Sequence, residues 1–286
     1  MKIRYDTQHE IYSQNPRELT PRRSEDAASV LTWREDRIMR LIKPLVKPEF
    51  NWLTLGDGNY GSEASWILRN GGRAHASDYS IPRLEVAARN GAIEDFSQQN
   101  AEDLTFDDES FDFVLIKEAL HHFPRPWLAL YESLRVCRKC VILFEPNGQE
   151  PGILSSFLRV LRRRPYSCYY GFEKVGNFKY APNPRELEKM MLGIHLNYTA
   201  SVFFNDYYGG AESNEAPMEG GTQRQQKLRE KVIREIRNRD LLARLRIVPY
   251  GKLGYALFKG YDADVMHLLE GAGWTINELP KNPYLK

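Results

Sequence analysis

A glycine-rich stretch between an apolar run and a predicted helix is the first candidate for chemistry in this sequence. The stretch is LTLGDGNYGSEA, Leu53 to Ala64, in which Gly56, Gly58 and Gly61 follow the spacing G-x-G-x-x-G. Glycines in such a turn let the backbone bend and approach a ligand closely, and the free N–H groups of the next helix favour a negatively charged group. The spacing therefore predicts a site for an adenosine-containing cofactor.

A second candidate is Asp78, in the segment ASDYS at the end of a second predicted strand. The two oxygens of an acid at this place can accept hydrogen bonds from both hydroxyls of a ribose. Two cofactors suit these features: NAD, whose pyrophosphate would meet the helix, and S-adenosylmethionine, whose methionine carboxylate would do so. The glycines and Asp78 leave both open.

The order of motifs that follows favours S-adenosylmethionine. The segment is QQNAEDLTFDDESFDFVLIKEALHHF, residues 98–123, and LFEP follows at 143–146. Here the sequence resembles the class I S-adenosylmethionine-dependent methyltransferases, particularly their small-molecule branch, over about residues 50–147. In that family an adenine-binding loop follows the third strand, Phe-Asp opens the fourth, and paired histidines precede the next helix. The matching residues are, in that order, Asn100, Ala101, Glu102, Phe111, Asp112, His121 and His122.

The resemblance implies S-adenosylmethionine as the cofactor, methyl transfer as the activity and a Rossmann-like fold. The cofactor-binding residues that it implies are Gly56, Asp57, Gly58, Asn59, Tyr60, Asp78, Tyr79, Asn100, Ala101, Glu102 and Lys117. The literal glycine spacing still permits an NAD-dependent oxidoreductase. A third alternative is a degenerate protein that binds the cofactor without turnover.

Three residues depart from the family's pattern. Thr54 stands where the family usually has an acid, Tyr60 stands where its third glycine falls, and Asn100 replaces a frequent Asp. An asparagine can still accept a hydrogen bond from the adenine amino group. A bulky Tyr60 would narrow the pocket unless Gly61 shifts the bend.

The two histidines after the fourth strand are candidates for a general base. Methyl transfer from a sulfonium is a displacement at carbon, and an alcohol nucleophile benefits from a base that takes its proton. Histidine suits that task at neutral pH. We expect one of His121 and His122 to face the site, and the alternative is that they cap the next helix or pack against Trp127.

Other polar residues leave alternatives open. Asp57 could contact the cofactor's ammonium group or hold the turn through local backbone bonds, and the second is favoured. Glu145 could contact substrate or bond a loop amide. Cys137 and Cys140 form a C-x-x-C pair, but without a second pair we expect two buried thiols and no metal.

Basic segments guide the prediction of the substrate. The region 222–246 carries nine basic residues against three acidic ones, and it is predicted to be a long helix. Such a helix is most often a solvated face, but it would also attract an anionic substrate or the headgroups of a membrane. The run Arg162–Arg164 and the aromatic residues near it suit a sugar that carries phosphate, as does the polar segment FFNDYYGG at 203–210. We therefore expect O-methylation of a sugar, glycan or other anionic small molecule, with a weak likeness to polysaccharide-associated enzymes.

The bulk composition limits the partners. The chain has 286 residues, with 40 Lys and Arg against 38 Asp and Glu, so charge gives no general argument for nucleic acid. Three cysteines fit a reducing compartment. The first twenty residues lack the apolar core of a signal peptide, and no apolar run is long enough to span a bilayer. We expect a cytoplasmic protein.

From Asn51 to Pro146, the predicted elements that position these residues alternate between strand and helix. This alternation does not continue after Pro146. This alternation predicts an α/β fold with a mostly parallel, seven-stranded sheet flanked by helices. A first helix is expected after Ser24 as N-cap, and the last element is expected to be the helix DADVMHLLEGAGW. We predict a single domain over 1–286, with an N-terminal helical cap (1–48), a cofactor-binding half (49–147) and a substrate-side insertion with C-terminal strands and helices (148–286).

Overall fold

The computed structural model describes residues 28–148, 171 and 178–284. The strands are β1 (Asn51–Leu55), β2 (Arg73–Asp78), β3 (Asp95–Gln98), β4 (Phe111–Lys117), β5 (Cys137–Pro146), β6 (Tyr198–Phe204), β7 (Lys252–Phe258) and β8 (Thr275–Glu278). The α-helices are α1 (Val30–Met39), α2 (Ser62–Arg69), α3 (Pro82–Arg89), α4 (Pro126–Val136), α5 (Pro184–Gly193), α6 (Ala211–Glu215), α7 (Gln223–Arg244) and α8 (Ala263–Gly271). Short 3-10 segments are found at Arg40–Leu45 and Leu120–His122.

The strands form one sheet in the order β3-β2-β1-β4-β5-β7-β6-β8. Strands β1 to β5 pair in parallel. Strand β7 runs antiparallel to β5, and β6 runs antiparallel to both β7 and β8. The strand order reverses at β1, because β2 and β3 lie on one side of it and β4 and β5 on the other. In open α/β sheets, ligands bind beyond the carboxyl ends of the strands at such a reversal.

Both faces of the sheet are buried, which explains the continuous apolar runs of its central strands. Successive residues of β1, Trp52 and Leu53, are both fully buried and belong to two different core clusters. Phe113 and Val114 of β4 divide between the same two clusters. The period-two alternation of a strand thus supplies both layers of the core.

The sequence predictions for the fold are mostly confirmed. The α/β class, the flanking helices and the parallel core are present, but the described sheet has eight strands where seven were predicted. The additional strand is β8, which follows the predicted last helix and pairs with β6 at the edge of the sheet. Its sequence, TINE, is too short to show a period by itself.

The first helix of the described residues begins after Ser29. Ser29, not Ser24, is the N-cap of α1, and its side chain accepts a hydrogen bond from the N–H of Thr32. Ser24, the run Arg162–Arg164 and the aromatic residues 166–172 lie outside the described residues.

The two described cysteines fit the expectation of buried thiols. Cys137 and Cys140 are fully buried, and burial raises the pKa of the Cys137 thiol to about 12.

Within the described ranges, no helix combines the length and apolar character needed to cross a bilayer.

Candidate active site

The carboxyl ends of β1, β2, β4 and β5 meet at one edge of the sheet, and the loops that follow them form the candidate site. The glycine turn is tied to the end of β2, because the N–H groups of Gly56 and Asp57 both donate to the carbonyl of Ser77. It is also pressed against the loop after β4. A Cβ atom at Gly56, where φ is +79°, would lie 2.5 Å from the Cβ of Ala119. Only glycine fits this approach.

Tyr60 adopts the left-handed conformation that the family's glycine would supply. Its φ is +60°, and Gly61 beside it has φ of +63°. A non-glycine residue in this region carries backbone strain. The ring of Tyr60 is half-buried against the core, and the guanidinium of Arg83 lies over it at 5.5 Å from the ring centroid. The bend is therefore kept without a glycine at this position.

Asp57 holds the glycine turn together. Its carboxylate is buried and accepts hydrogen bonds from the hydroxyl of Thr54 at 2.9 Å and from the N–H groups of Glu63 and Ala64 in the first turn of α2. Of the two interpretations of Asp57, the contacts favour the structural one. They also bear on Thr54, which stands where the family usually has an acid. The hydroxyl of Thr54 bonds the carboxyl group of Asp57, so an acid lies next to this position although it comes from the turn.

Gly58 and Asp78 form a close pair at the ends of β1 and β2. A Cβ atom at Gly58 would lie 2.6 Å from the Oδ2 atom of Asp78. The other oxygen of Asp78 accepts a hydrogen bond from the N–H of Ser80 at 2.8 Å. The missing side chain of Gly58 thus leaves the space in which the carboxylate of Asp78 lies next to the glycine turn.

The loop after β3 is built around two polar side chains. The Oδ1 atom of Asn100 accepts a hydrogen bond from the N–H of Glu102 at 3.1 Å, which closes a local turn. Glu102 is buried, and its carboxylate accepts from the N–H and from the Nε of Arg125, each at 2.7 Å. Glu102 therefore ties this loop to the start of α4, whereas Asn100 and Tyr79 remain exposed.

A buried ion pair joins the end of β4 to the start of α2. The Nζ atom of Lys117 lies 2.6 Å from the Oε1 atom of Glu63, and both side chains are about nine-tenths buried. Lys117 was predicted to be a cofactor-binding residue, whereas Glu63 was not predicted to have a role. The sequence could have indicated a buried ion pair only through Lys117, which ends an otherwise apolar strand. It could not indicate the partner, because Glu63 is 54 positions away.

Charges around Glu63 shift two pKa values in opposite directions. Burial by itself would raise the pKa of Glu63, but Lys117 and hydrogen bonds from Asp57, Lys117 and Ser62 outweigh it and lower that pKa to about 2. Burial, followed by the nearby charge of Glu63, raises the pKa of Asp57 well above its ordinary value. The pKa values of two neighbouring buried carboxyl groups move apart in this way, because ionising both groups would place two like charges close together away from water.

Glu145 organises the loop after β4. It is the last residue but one of β5 and is fully buried, and its Oε1 atom accepts hydrogen bonds from the N–H groups of Ala119 and Leu120 at 2.9 and 2.8 Å. Its Oε2 atom bonds the Nδ1 atom of His121. When a carboxylate oxygen accepts from Nδ1, the neutral form of the ring has Nε2 as its acceptor.

The two histidines have different environments. His121 is buried, and its carbonyl accepts a hydrogen bond from the N–H of Tyr180, whereas His122 is half-buried. Their ring centroids are 4.0 Å apart. The bond to the buried carboxylate of Glu145 fixes the ring of His121 at this edge of the sheet.

A strained backbone conformation is found at Glu118, at the carboxyl edge of the sheet. Glu118, directly after β4, has φ of +53°, and its N–H donates to the carbonyl of Phe144. Its carboxylate pairs with Lys252 at the start of β7. The turn between β4 and the histidines is thus held from β5 and from β7.

Comparisons with known proteins identify the family of the chain. A family model described as a methyltransferase domain matches residues 53–144. The ubiquinone/menaquinone biosynthesis C-methyltransferase UbiE of Rhizobium meliloti is 31% identical over 198 residues, which are 62% of this chain and 74% of that protein. The chain belongs to the class I S-adenosylmethionine-dependent methyltransferases. Its cofactor is S-adenosylmethionine, and the family excludes the alternative of an NAD-dependent oxidoreductase.

One more relative of this methyltransferase and one solved structure are similar to it. A probable phthiotriol/phenolphthiotriol dimycocerosates methyltransferase of Mycobacterium ulcerans is 57% identical, over 83 residues that are 28% of this chain and 32% of that protein. The crystal structure of the YcgJ protein of Bacillus subtilis superposes with a TM-score of 0.52 at 18% identity, covering 79% of this chain and all of that one. This second likeness shows the fold.

The residues at the sheet edge fit the cofactor of the methyltransferase. The turn has no side chains at Gly56 and Gly58 that would keep a ligand away from the backbone, and the carboxylate of Asp78 beside it is the type of acceptor that a ribose diol takes. The segment around Asn205 and Asp206 fits less well as a substrate site. Asn205 bonds Asp240 and the N–H of Gly251, and Asp206 pairs with Arg34, so both are satisfied within the fold.

The pair Glu63–Lys117 yields a stability prediction. In Glu63→Gln the buried ammonium of Lys117 loses its counter-charge, and we expect the free energy of unfolding to fall by about 3–5 kcal/mol. The depressed pKa of Glu63 means that its contribution is present above its ordinary pKa of 4.5 and is lost as the pH falls toward about 2. Urea unfolding at neutral pH measures the loss.

The matched control is the double variant Glu63→Gln with Lys117→Met, which removes both charges. It should regain most of the lost stability, because no buried charge is then unpaired. A double variant that is as unstable as Glu63→Gln would contradict the assignment of the loss to the ion pair.

Proposed function

We propose that this methyltransferase transfers the methyl group of S-adenosylmethionine to a hydroxyl-bearing small molecule, with His121 as the general base and Glu145 as its positioning residue. The observation that supports the proposal is the bond from His121 to a fully buried carboxylate at the carboxyl edge of the sheet. A buried acid that fixes the tautomer and the orientation of a histidine is how such a ring is prepared to take a proton.

The proposed cofactor contacts follow the edge of the sheet. Asp78 accepts from the ribose hydroxyls, the backbone from Gly56 to Tyr60 surrounds the methionine end, and the side chain of Asn100 with the backbone of Ala101 and Glu102 receives the adenine. The carboxylates of Asp57 and Glu102 and the ammonium of Lys117 act indirectly, because their contacts fix the loops and the start of α2. The exposed residues Asn59 and Tyr79 lie at the rim of this site.

The chain's own task in the reaction is orientation and proton transfer. When bound, S-adenosylmethionine supplies a methyl group that is already activated on a sulfonium. The protein must hold the acceptor oxygen in line with that methyl group, and positioning of this kind is worth up to about 7–11 kcal/mol in favourable systems. The Nε2 atom of His121 takes the proton of the acceptor hydroxyl, and Glu145 stabilises the charge that the ring gains.

For the acceptor, we propose a sugar, glycan or related anionic compound as the first candidate, on the strength of the basic segments in the sequence. A second candidate is a phenolic ring, because several relatives are named as ubiquinone/menaquinone C-methyltransferases. Loss of a phenolic proton to His121 would activate the neighbouring ring carbon as well as the oxygen. The same base therefore serves both candidates. We also propose a cytoplasmic location, in keeping with the low number of cysteines.

Removal of the ribose acceptor should weaken cofactor binding. In Asp78→Ala two hydrogen bonds to a charged acceptor are lost, so we expect S-adenosylhomocysteine to bind roughly 10- to 100-fold more weakly by calorimetry. Glu94→Ala, an exposed acid near the opposite end of β3, is the matched control and should bind as the unaltered chain does. Equal affinity of the two variants would refute the role of Asp78.

Filling the space beside Asp78 should have a similar effect without removing any charge. Gly58→Ala places a Cβ atom where the structure leaves 2.6 Å to the carboxylate, so the carboxylate must move. We expect weaker binding of S-adenosylhomocysteine by calorimetry and a preserved fold by circular dichroism. Gly193→Ala, where an added Cβ meets nothing within 4 Å, is the control. Unchanged affinity in Gly58→Ala would contradict the proposed place of the ribose.

The general base is tested with an isosteric change at Glu145. In Glu145→Gln the amide can keep its oxygen on the N–H groups of Ala119 and Leu120 and then presents its NH₂ to His121. That would move the ring hydrogen to Nε2 and remove the acceptor. We expect kcat to fall by roughly 10²–10⁴, as in His121→Ala, with cofactor affinity unchanged.

His122→Ala is the matched control for the base. It should retain most of the activity and the pH profile of the unaltered enzyme, whereas His121→Ala should lose the limb of the profile that reports the base. If His121→Ala transfers methyl groups at the ordinary rate to an accepted substrate, positioning alone carries the reaction and His121 is not the base.

A further inference from the structure

The second half of α7 exposes apolar side chains that the core does not use. Leu241 and Leu245 are 56% and 61% exposed, and Ile247 in the following turn is 46% exposed. Leu242 completes the group, which we call the leucine patch (Leu241, Leu242, Leu245 and Ile247). Contiguous apolar side chains on a surface mark a site of contact with a partner or a membrane.

The geometry of the helix explains why these residues face away from the protein. The buried residues Val232 and Ile236 pack into a small cluster with Val30 and Ala216. Leu241 and Leu245 each follow one of them by nine positions, and at about 100° per residue this places them on the opposite side of the helix. The inner face of α7 thus packs against the protein. The leucines on its outer face make no contribution to that packing.

Basic residues surround the leucine patch. The outer face of the preceding turns carries Lys227, Lys231, Arg234 and Arg237, with Glu230 among them, and Arg244 and Arg246 lie within the patch. No acidic residue occurs between Leu241 and Tyr261 in the sequence. Asp240, at the border, is hydrogen-bonded by Asn205 and faces Arg37. Cations beside exposed leucines match the arrangement of a surface that binds anionic headgroups.

The leucine patch also lies at the same edge of the sheet as the candidate site. The turn after α7 is bound to the end of β5, because Asn147 donates its N–H to the carbonyl of Gly251 and its side-chain amide to that of Tyr250. The next residue, Lys252, begins β7 and pairs with Glu118 after β4. A surface that docks through this turn therefore brings the carboxyl edge of the sheet near what it binds.

We propose that the leucine patch and its flanking arginines dock the enzyme on an anionic lipid bilayer. The leucines enter the boundary between headgroups and acyl chains, and the arginines contact the phosphates. A second copy of the chain fits this surface less well, because it would set one basic patch against another. The inference rests on the exposed side chains of α7 and its turn, so it does not depend on the role of His121.

The full chain is tested by co-sedimentation with vesicles of phosphatidylcholine alone and of phosphatidylcholine with phosphatidylglycerol. We expect binding to the anionic vesicles only, and weaker binding as salt increases. The double variant Leu241→Ser with Leu245→Ser should bind roughly tenfold more weakly or worse. Arg237→Gln and Arg244→Gln should each weaken binding roughly fivefold.

Leu192→Ser, an exposed leucine of α5, is the matched control and should bind as the unaltered chain does. Circular dichroism and the affinity for S-adenosylhomocysteine verify that each variant is folded. Absence of binding to anionic vesicles, or equal binding by the double leucine variant, would overturn the proposal. The proposal would also be overturned if the unaltered chain were a dimer that does not bind vesicles and the double leucine variant were a monomer. The leucine patch would then be the contact surface between two copies of the chain.

Discussion

A carboxylate that leaves water must find hydrogen-bond donors, and this requirement shapes the carboxyl edge of the sheet. Four buried acids lie there, and each is bonded to donors from another part of the fold or from the next helix. Their donors come from the first turn of α2, from the end of β4, from the start of α4 and from the loop that holds His121. The acids are Asp57, Glu63, Glu102 and Glu145. These contacts tie the glycine turn, the loop after β3 and the loop after β4 to the helices and strands around them.

The sequence was sufficient for the order of the elements but not for the partners of the buried acids. The glycine turn, the Phe-Asp opening of β4 and the Glu-Pro end of β5 were found where the motifs placed them, since each motif is local. The bond of His121 to Glu145 and the pair of Glu63 with Lys117 join residues on different elements. Such contacts depend on the strand order, which no local pattern records.

Other parts of the fold escaped prediction for different physical reasons. Tyr60 has a left-handed backbone, and its ring packs against the core with the guanidinium of Arg83 over it. The sequence marked this position only as a bulky residue in the glycine turn, because the place of its ring depends on distant residues. Strand β8 is four residues long, and its pairing with β6 decides its state. The polar segment at Asn205 and Asp206 was open to a binding interpretation until its partners Arg34 and Asp240 were visible.

The antiparallel pairing of β7 with β5 has a consequence for how the chain is made. Strand β5 ends at Pro146, and β7, which covers its free edge, begins only at Lys252. During synthesis from the N-terminus, the parallel strands β1 to β5 leave the ribosome well before β7 does. Until β7 arrives, β5 is a long apolar edge strand with unpaired backbone groups, and such an edge recruits other chains. The nascent protein is therefore most vulnerable to aggregation while its cofactor-binding half is already complete.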